Sequence, residues 1–201
     1  MHDCGRYGCV RDPMMPASPP PLPPAPSAAP PAFDIEEIKA STPRTIALIG
    51  AILIAASYFM VGWEIDIDYY DDYSGVNYSD TNEDDIGDAD GAGPMFFLSL
   101  GAVAACGLTR SFWDKNAGPG YQHKIMLGLA IGTAFFAYQI WSDISEAEED
   151  LEDLEDRYEN LGYSDIDIDF KKMMGANAML VGALLLLGGS GMYFQEINPK
   201  I

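Results

Sequence analysis

Thirty-one carboxylates against eleven lysines and arginines give the chain a formal net charge of −20, and their clustering is the first sign of chemistry. Eleven of the acids lie within residues 64–90 and thirteen within residues 143–169. Calcium takes about six to eight oxygen ligands, which dense carboxylates supply. Two sets have the right composition: Asp84, Asp85, Asp88 and Asp90, and Asp66 and Asp68 with Asp165, Asp167 and Asp169. Neither matches the helix–loop–helix calcium pattern, whose acids recur at fixed positions around a glycine. No cofactor is therefore expected, with Ca2+ at the acidic segments the one exception that has a physical basis. So acidic a surface repels nucleic acid and anionic lipid, and attracts cations or a basic partner. A solvated outer face would carry the same charge with no ligand at all.

Catalytic material is sparse. His2 and His123 stand far apart in the chain, and neither belongs to a His-x-x-x-His pair of the kind that holds zinc on a helix. Cys4 and Cys9 with His2 make a loose set without a fourth ligand, and Cys106 lies in an apolar stretch, where it reads as a small filler. No disulfide is expected in the acidic segments. Gly188-Gly189-Ser190-Gly191 falls inside an apolar run rather than after a strand, which fits close helix packing or an unwound turn better than a phosphate loop. The expectation is a protein that is not an enzyme.

The elements that must position these residues are four apolar stretches, at residues 44–63, 93–112, 124–141 and 173–194. A bilayer core takes roughly 20 apolar residues in a helix. Residues 46–61 and 173–194 carry no charge, whereas the second stretch is rich in glycine and alanine and the third is short. The fold class expected is an all-α membrane protein with four transmembrane helices and a small acidic extramembrane cap. No basic-then-apolar leader opens the chain, so the first span is expected to serve as an uncleaved anchor. Residues 1–43 form a tail with ten prolines between Pro13 and Pro31, followed by a short polar juxtamembrane segment. Pro20–Pro23, Pro21–Pro24 and Pro23–Pro26 have the spacing of proline-binding-domain ligands, but no basic residue flanks them. Ser41 or Thr42 followed by Pro43 is a helix start signal.

Basic residues set the orientation. Eight fall on the side of the N-terminus, the 113–123 link and the 195–201 tail, and three (Arg157, Lys171 and Lys172) on the other. The termini are thus expected on the cytoplasmic side, with residues 64–92 and 142–172 outside. Lys171 and Lys172 argue against that placement.

The two outer segments differ in pattern. Glu64-Ile65-Asp66-Ile67-Asp68-Tyr69 and Asp165-Ile166-Asp167-Ile168-Asp169-Phe170 are near-copies with the period-two alternation of a half-buried strand. They could pair as two short strands, which would set the first and fourth spans side by side, or run as parallel extended arms. Residues 82–93 read as a flexible acidic loop. Nothing punctuates residues 124–160, so the third span is expected to project outward as one long helix. Along it Ile144, Ala147, Leu151, Leu154, Tyr158 and Leu161 recur at heptad spacing. This stripe could be covered by the first outer segment, a second copy or another protein.

Contact chemistry is expected from Tyr69, Tyr70 and Tyr73, with Tyr78 nearby, and from Leu151, Leu154, Tyr158 and Leu161. Asn77-Tyr78-Ser79 is a glycosylation sequon on the outer side. Inside the spans small residues recur four apart: Ala47, Ala51 and Ala55; Gly101 and Ala105; Gly128 and Gly132; Ala178 and Gly182. Ionisable groups deep in the spans are missing, which disfavours a proton-coupled carrier. Asn177 is the main intramembrane polar candidate, more simply an interhelical hydrogen bond than a transport residue. The function expected is a structural or accessory subunit of a membrane assembly, partnered by other membrane subunits or by itself. The alternative is a homo-oligomeric cation channel with an acidic vestibule.

Overall fold

A computed structural model of the chain describes residues 34–71, 74–160 and 166–198. Helices dominate, and a three-stranded sheet stands at one end, so the all-α expectation gives way to a helical protein with a sheet. Helix α1 (Ile35–Lys39) is capped by Asp34, whose carboxylate accepts from the Glu36 and Glu37 amides at 2.9 and 3.4 Å. Helix α2 (Thr42–Ser57) begins with Pro43 in its first turn, where a missing donor costs nothing. It closes well before residue 63. The reason lies in the backbone beyond it: Met60 O accepts from Ile86 N at 3.1 Å, and Gly62 O accepts from Met173 N at 2.9 Å. Those carbonyls serve the sheet end rather than another helical turn.

Strand β1 (Val61–Asp71) turns back at Gly75, whose φ of +67° suits glycine, into β2 (Val76–Asp85). Strand β3 (Ile166–Lys172) pairs with the opposite edge of β1, giving the order β2-β1-β3, antiparallel throughout. The near-copies do pair: Ile65 faces Phe170, Ile67 faces Ile168, and Asp66 faces Asp169. The acidic loop expected over residues 82–93 is instead the end of β2, a single 3-10 turn at Ile86–Asp88 and the start of α3. Sequence gave no strand signal there because β2 is solvent-exposed on nearly all its residues and so lacks apolar alternation.

Helix α3 (Ala92–Gly107) leads away from the sheet, a short α4 (Arg110–Asn116) crosses the far end, and α5 (Gln122–Asn160) returns. At 39 residues α5 is about 58 Å long. Its uninterrupted course matches the expectation of one projecting helix. Helix α6 (Met174–Ile197) closes the chain beside α2. The four long helices form a ring in which α2 packs on α3 and α6, and α5 packs on the same two. Ile54, Met95, Met126, Ile140, Met179 and Leu186 fill its centre, all fully buried.

Between α2 and α6 the backbones nearly touch. A Cβ added at Gly182 would lie 2.9 Å from Gly50 O, and one at Gly189 would lie 2.5 Å from Ala47 N. Gly175, Gly182 and Gly189 recur seven apart and each meets α2 or the chain just after it, a ridge that the four-residue pairing of Ala178 with Gly182 overlooked. Gly128, by contrast, meets nothing within 4 Å. Two helices are long and apolar enough to cross a membrane: α5 in its first part, and α6. Helices α2 and α3 have 16 residues each, about 24 Å, so of the four expected spans two reach the length of a crossing by themselves.

Candidate functional site

The acidic sheet comes from strict alternation along β1. Glu64, Asp66, Asp68 and Tyr70 take one face, and Trp63, Ile65, Ile67 and Tyr69 take the other. Antiparallel pairing carries Asp169 opposite Asp66, Asp167 opposite Asp68 and Lys171 opposite Glu64. Facing carboxylates repel, and Lys171 answers that repulsion at the Asp66–Asp169 pair. Its Nζ lies 2.7 Å from Asp66 Oδ2, 3.2 Å from Asp169 Oδ2 and 3.7 Å from Glu64 Oε1. The hydrogen bond from Lys171, helped by one from Thr81, holds the Asp66 carboxyl below the ordinary carboxylate range. Hydrogen bonds to Asp66 and then Asp169 push the Lys171 ammonium well above its ordinary value. Lys172, on the other face, pairs with Glu148 of α5 and stands 5.1 Å over the Trp141 ring.

This lysine changes the cation reading. Asp66, Asp68, Asp167 and Asp169 do share one face, but an ammonium already bridges Asp66 and Asp169 at one end of their ladder. Among the described residues no three acidic, histidine or cysteine side chains come together as metal donors. Asp84 and Asp85 end β2, while Asp88 and Asp90 lie in and after the 3-10 turn, so that second set does not converge either. Asp165 lies outside the described residues, as do Tyr73, Leu161, His2, Cys4, Cys9 and the proline tail.

The contact residues gather at the sheet tip. Tyr69 and Tyr78 face each other across β1 and β2 with stacked rings, centroids 4.9 Å apart, and both are exposed. Tyr70, Asn77, Asp68, Asp167 and Ile166 join them around an open cleft. On α5, Ile144 is buried and Leu151 half-buried, whereas Ala147, Leu154 and Tyr158 are exposed. The covered line runs instead through Ile144, Glu148, Leu151 and Glu155, because α5 turns that line toward the chain's own β3. Lys172 then reaches Glu148 from β3. Asn177 sits in the first turn of α6, is exposed, and donates to Met173 O of its own helix at 3.1 Å. It is therefore a surface residue near the sheet and not a deep intramembrane group.

At the opposite end of the bundle lies a polar clasp that sequence reasoning missed. Arg44, 2% exposed, donates through Nε to Cys106 O at 2.6 Å and through Nη2 to Leu108 O at 2.5 Å. Its Nη1 donates to Glu37 Oε1 at 2.8 Å, and Glu37 also accepts from the Arg110 amide at 2.8 Å. Gln122 Nε2 donates to Ala105 O and Leu108 O at 3.0 and 3.1 Å. The last carbonyls of α3, which its own helix cannot satisfy, are thus taken by side chains from α2 and α5. Tyr193 of α6 donates its hydroxyl proton to Gln122 at 3.4 Å, and His123 contacts Asn198 at 3.0 Å. In the sequence Arg44 looked like a charge at a span end. The signal available was an acid seven residues earlier in a short capped helix, which is weak.

The chain matches no known protein family, no curated protein and no solved structure.

Proposed function

We propose that the chain is a four-span integral membrane protein that works as a structural or accessory subunit of a larger membrane assembly. The supporting observation is an inside-out distribution of side chains. Small residues fill the helix interfaces: Ala47, Ala51, Ala102, Ala105, Ala130 and Ala137 are buried, as are Ser57, Ser99 and Thr133. Large apolar ones face outward on all four helices, with Phe97 72%, Leu184 65% and Phe135 57% exposed, and Ile49 and Ile52 beside them. Water penalises that arrangement, whereas lipid removes the penalty and rewards close packing of small residues. Aromatic residues mark both ends of the belt. Tyr58, Phe59, Phe96 and Phe97 cluster at the sheet end, and Phe112, Trp113 and Tyr121 stand at the clasp end. Such girdles sit at membrane–water boundaries.

The 16-residue α2 and α3 span with the help of these flanks and of local bilayer thinning, which costs a fraction of a kcal/mol per Å. Lys171 and Lys172 weigh against the orientation with acids outside, and the eight basic residues on the other side outweigh them. The reading is non-enzymatic: among the described residues Arg44 and Gln122 donate to the carbonyls at the end of α3, and Ser57, Ser99 and Thr133 donate to carbonyls of their own helices. Contacts with partner subunits fall on the stacked Tyr69 and Tyr78 and on Leu154. The cation-channel alternative gains nothing from a helix ring whose centre is filled by methionine and branched side chains.

Extraction of native membranes in mild detergent, followed by sizing and mass spectrometry, tests the role. Other chains in fixed stoichiometry are expected, and Leu154→Asp is expected to release the protein from them. A clean homo-oligomer that conducts cations after reconstitution would defeat the subunit reading.

A further inference from the structure

The clasp end carries a cavity of about 500 Å³ between the start of α2, the start of α4 and the end of α6. Its lining includes Ser41, Arg44, Arg110, Tyr193, Glu37 and Glu196. The volume falls within the range of small-ligand sites, roughly 300–1,000 Å³. The lining is balanced, with two guanidiniums and two carboxylates. These charges are not all satisfied by one another. Glu37 is committed to Arg44 and to the Arg110 amide. The Arg110 side chain, 64% exposed, has only Asp114 at 3.9 Å, and Glu196 makes no ion pair among the described residues. Ser41 is the N-cap of α2, yet its hydroxyl makes no capping bond and is shielded from solvent with no partner. A solvent-shielded hydroxyl without a partner costs free energy unless something accepts or donates there. Beside it lies the positive end of the α2 dipole.

We propose that this cavity binds a phosphate diester carrying an ammonium group, as in a phosphoethanolamine headgroup. The phosphate sits against Arg110, the Ser41 hydroxyl and the α2 N-terminus, and Arg44, which keeps two N–H donors beyond its three bonds, lines the same cavity. The ammonium lies toward Glu196. A purely anionic headgroup has nothing to offer Glu196, so the site discriminates by the ammonium. On the four-span reading, on which the lipid source rests, the cavity opens at headgroup level at the clasp end of the bundle. A soluble phosphodiester of the same chemistry would fit the same groups.

The full chain is incorporated into nanodiscs of mixed phosphatidylethanolamine and phosphatidylglycerol, re-extracted, and its retained lipids are counted by mass spectrometry. Wild type is expected to retain the ethanolamine lipid preferentially. Arg110→Ala should lower retention of both lipids about fivefold, the effect of one partly exposed charge contact. Glu196→Gln should lower only the ethanolamine lipid and erase the preference. Both side chains are exposed, and unchanged melting of the variants shows that neither acts through folding. Equal retention of the two lipids by wild type, or equal loss of both in Glu196→Gln, overturns the proposal. Competition by soluble glycerophosphoethanolamine assigns the site to a soluble source, and its failure to compete assigns it to lipid. A chain that stays soluble without detergent refutes the membrane reading instead. Calorimetry with glycerophosphoethanolamine then decides the cavity's chemistry separately, with no heat counting against it.

Discussion

Exchanging Gly189 for alanine and, separately, Gly188 for alanine makes one chemical change at adjacent positions of α6 with opposite expected outcomes. A Cβ at residue 189 would lie 2.5 Å from Ala47 N, 2.7 Å from Pro43 O and 2.9 Å from Ala47 Cα. All three are backbone atoms, so no rotamer change relieves the collision. Reaching an ordinary contact near 3.4 Å requires α2 and α6 to part by about 0.9 Å. A gap of about 0.5–1 Å forfeits a quarter to a half of each dispersion contact along the interface. Overpacking of this kind costs about 1–3 kcal/mol. At Gly188 an added Cβ meets nothing within 4 Å. Alanine also gains about 1 kcal/mol of helix propensity over glycine, and it gains this at both positions. The difference between the two variants therefore isolates the collision, about 1–3 kcal/mol in favour of Gly188→Ala. Unfolding midpoints in mixed micelles, or melting at about 2–4 °C per kcal/mol for a chain of this size, read it directly. Equal midpoints, or a less stable Gly188→Ala, would refute the backbone contact between α2 and α6.

Three further outcomes are expected. Lys171→Met should loosen β1 and β3, seen as faster amide exchange, because Asp66, Asp169 and Glu64 lose their shared cation. The sign with pH follows from both partners. The Asp66 contribution is complete above its ordinary 3.8 and is lost as pH falls through its lowered value, while that of Lys171 is complete below 10.5 and is lost as pH rises through its raised one. The wild-type advantage should thus be flat from about pH 4 to about pH 10 and vanish in acid; an advantage that persists in strong acid contradicts the bridge. Arg44→Met should destabilise the bundle by about 2–3 kcal/mol, since the α3 carbonyls lose charge-assisted donors, and a neutral effect on detergent unfolding would mean that Arg44 does not hold that end. In a eukaryotic host Asn77, exposed on β2, should acquire a glycan that Asn77→Gln removes, placing the sheet outside. A glycan-free Asn77, together with labelling of a cysteine placed at Lys115 from outside intact cells, would reverse the orientation.

Much of the frame was legible because it rests on local pattern. The near-copies around Asp66 and Asp167 alternate with period two, and their pairing follows once both are strands. The long α5 follows from the lack of any glycine or proline between Gly132 and Asn160. Other features escaped. Strand β2 has no apolar alternation, since it needs only the backbone donors and acceptors of β1. The phase of α5 was read from its leucines, but β3 settles against Glu148 through Lys172, which shifts the covered line. Asn177 was read as intramembrane because it lies within the uncharged 173–194 stretch, although it stands only four residues from the start of that stretch, and it falls in the first turn of α6.

By itself the sequence determined that four apolar helical stretches alternate with acidic segments, where the two alternating strands run, and that small residues line the apolar stretches. Those properties depend on neighbours a few residues apart, which is the range that periodicity and composition report. Tertiary structure alone decided that Arg44 is buried under the α3 carbonyls, that Lys171 bridges carboxylates of β1 and β3, and that the Gly182 and Gly189 backbones meet α2. Each of those depends on groups between 62 and 146 residues apart, brought together by helix packing and strand register, and no local pattern encodes such a meeting.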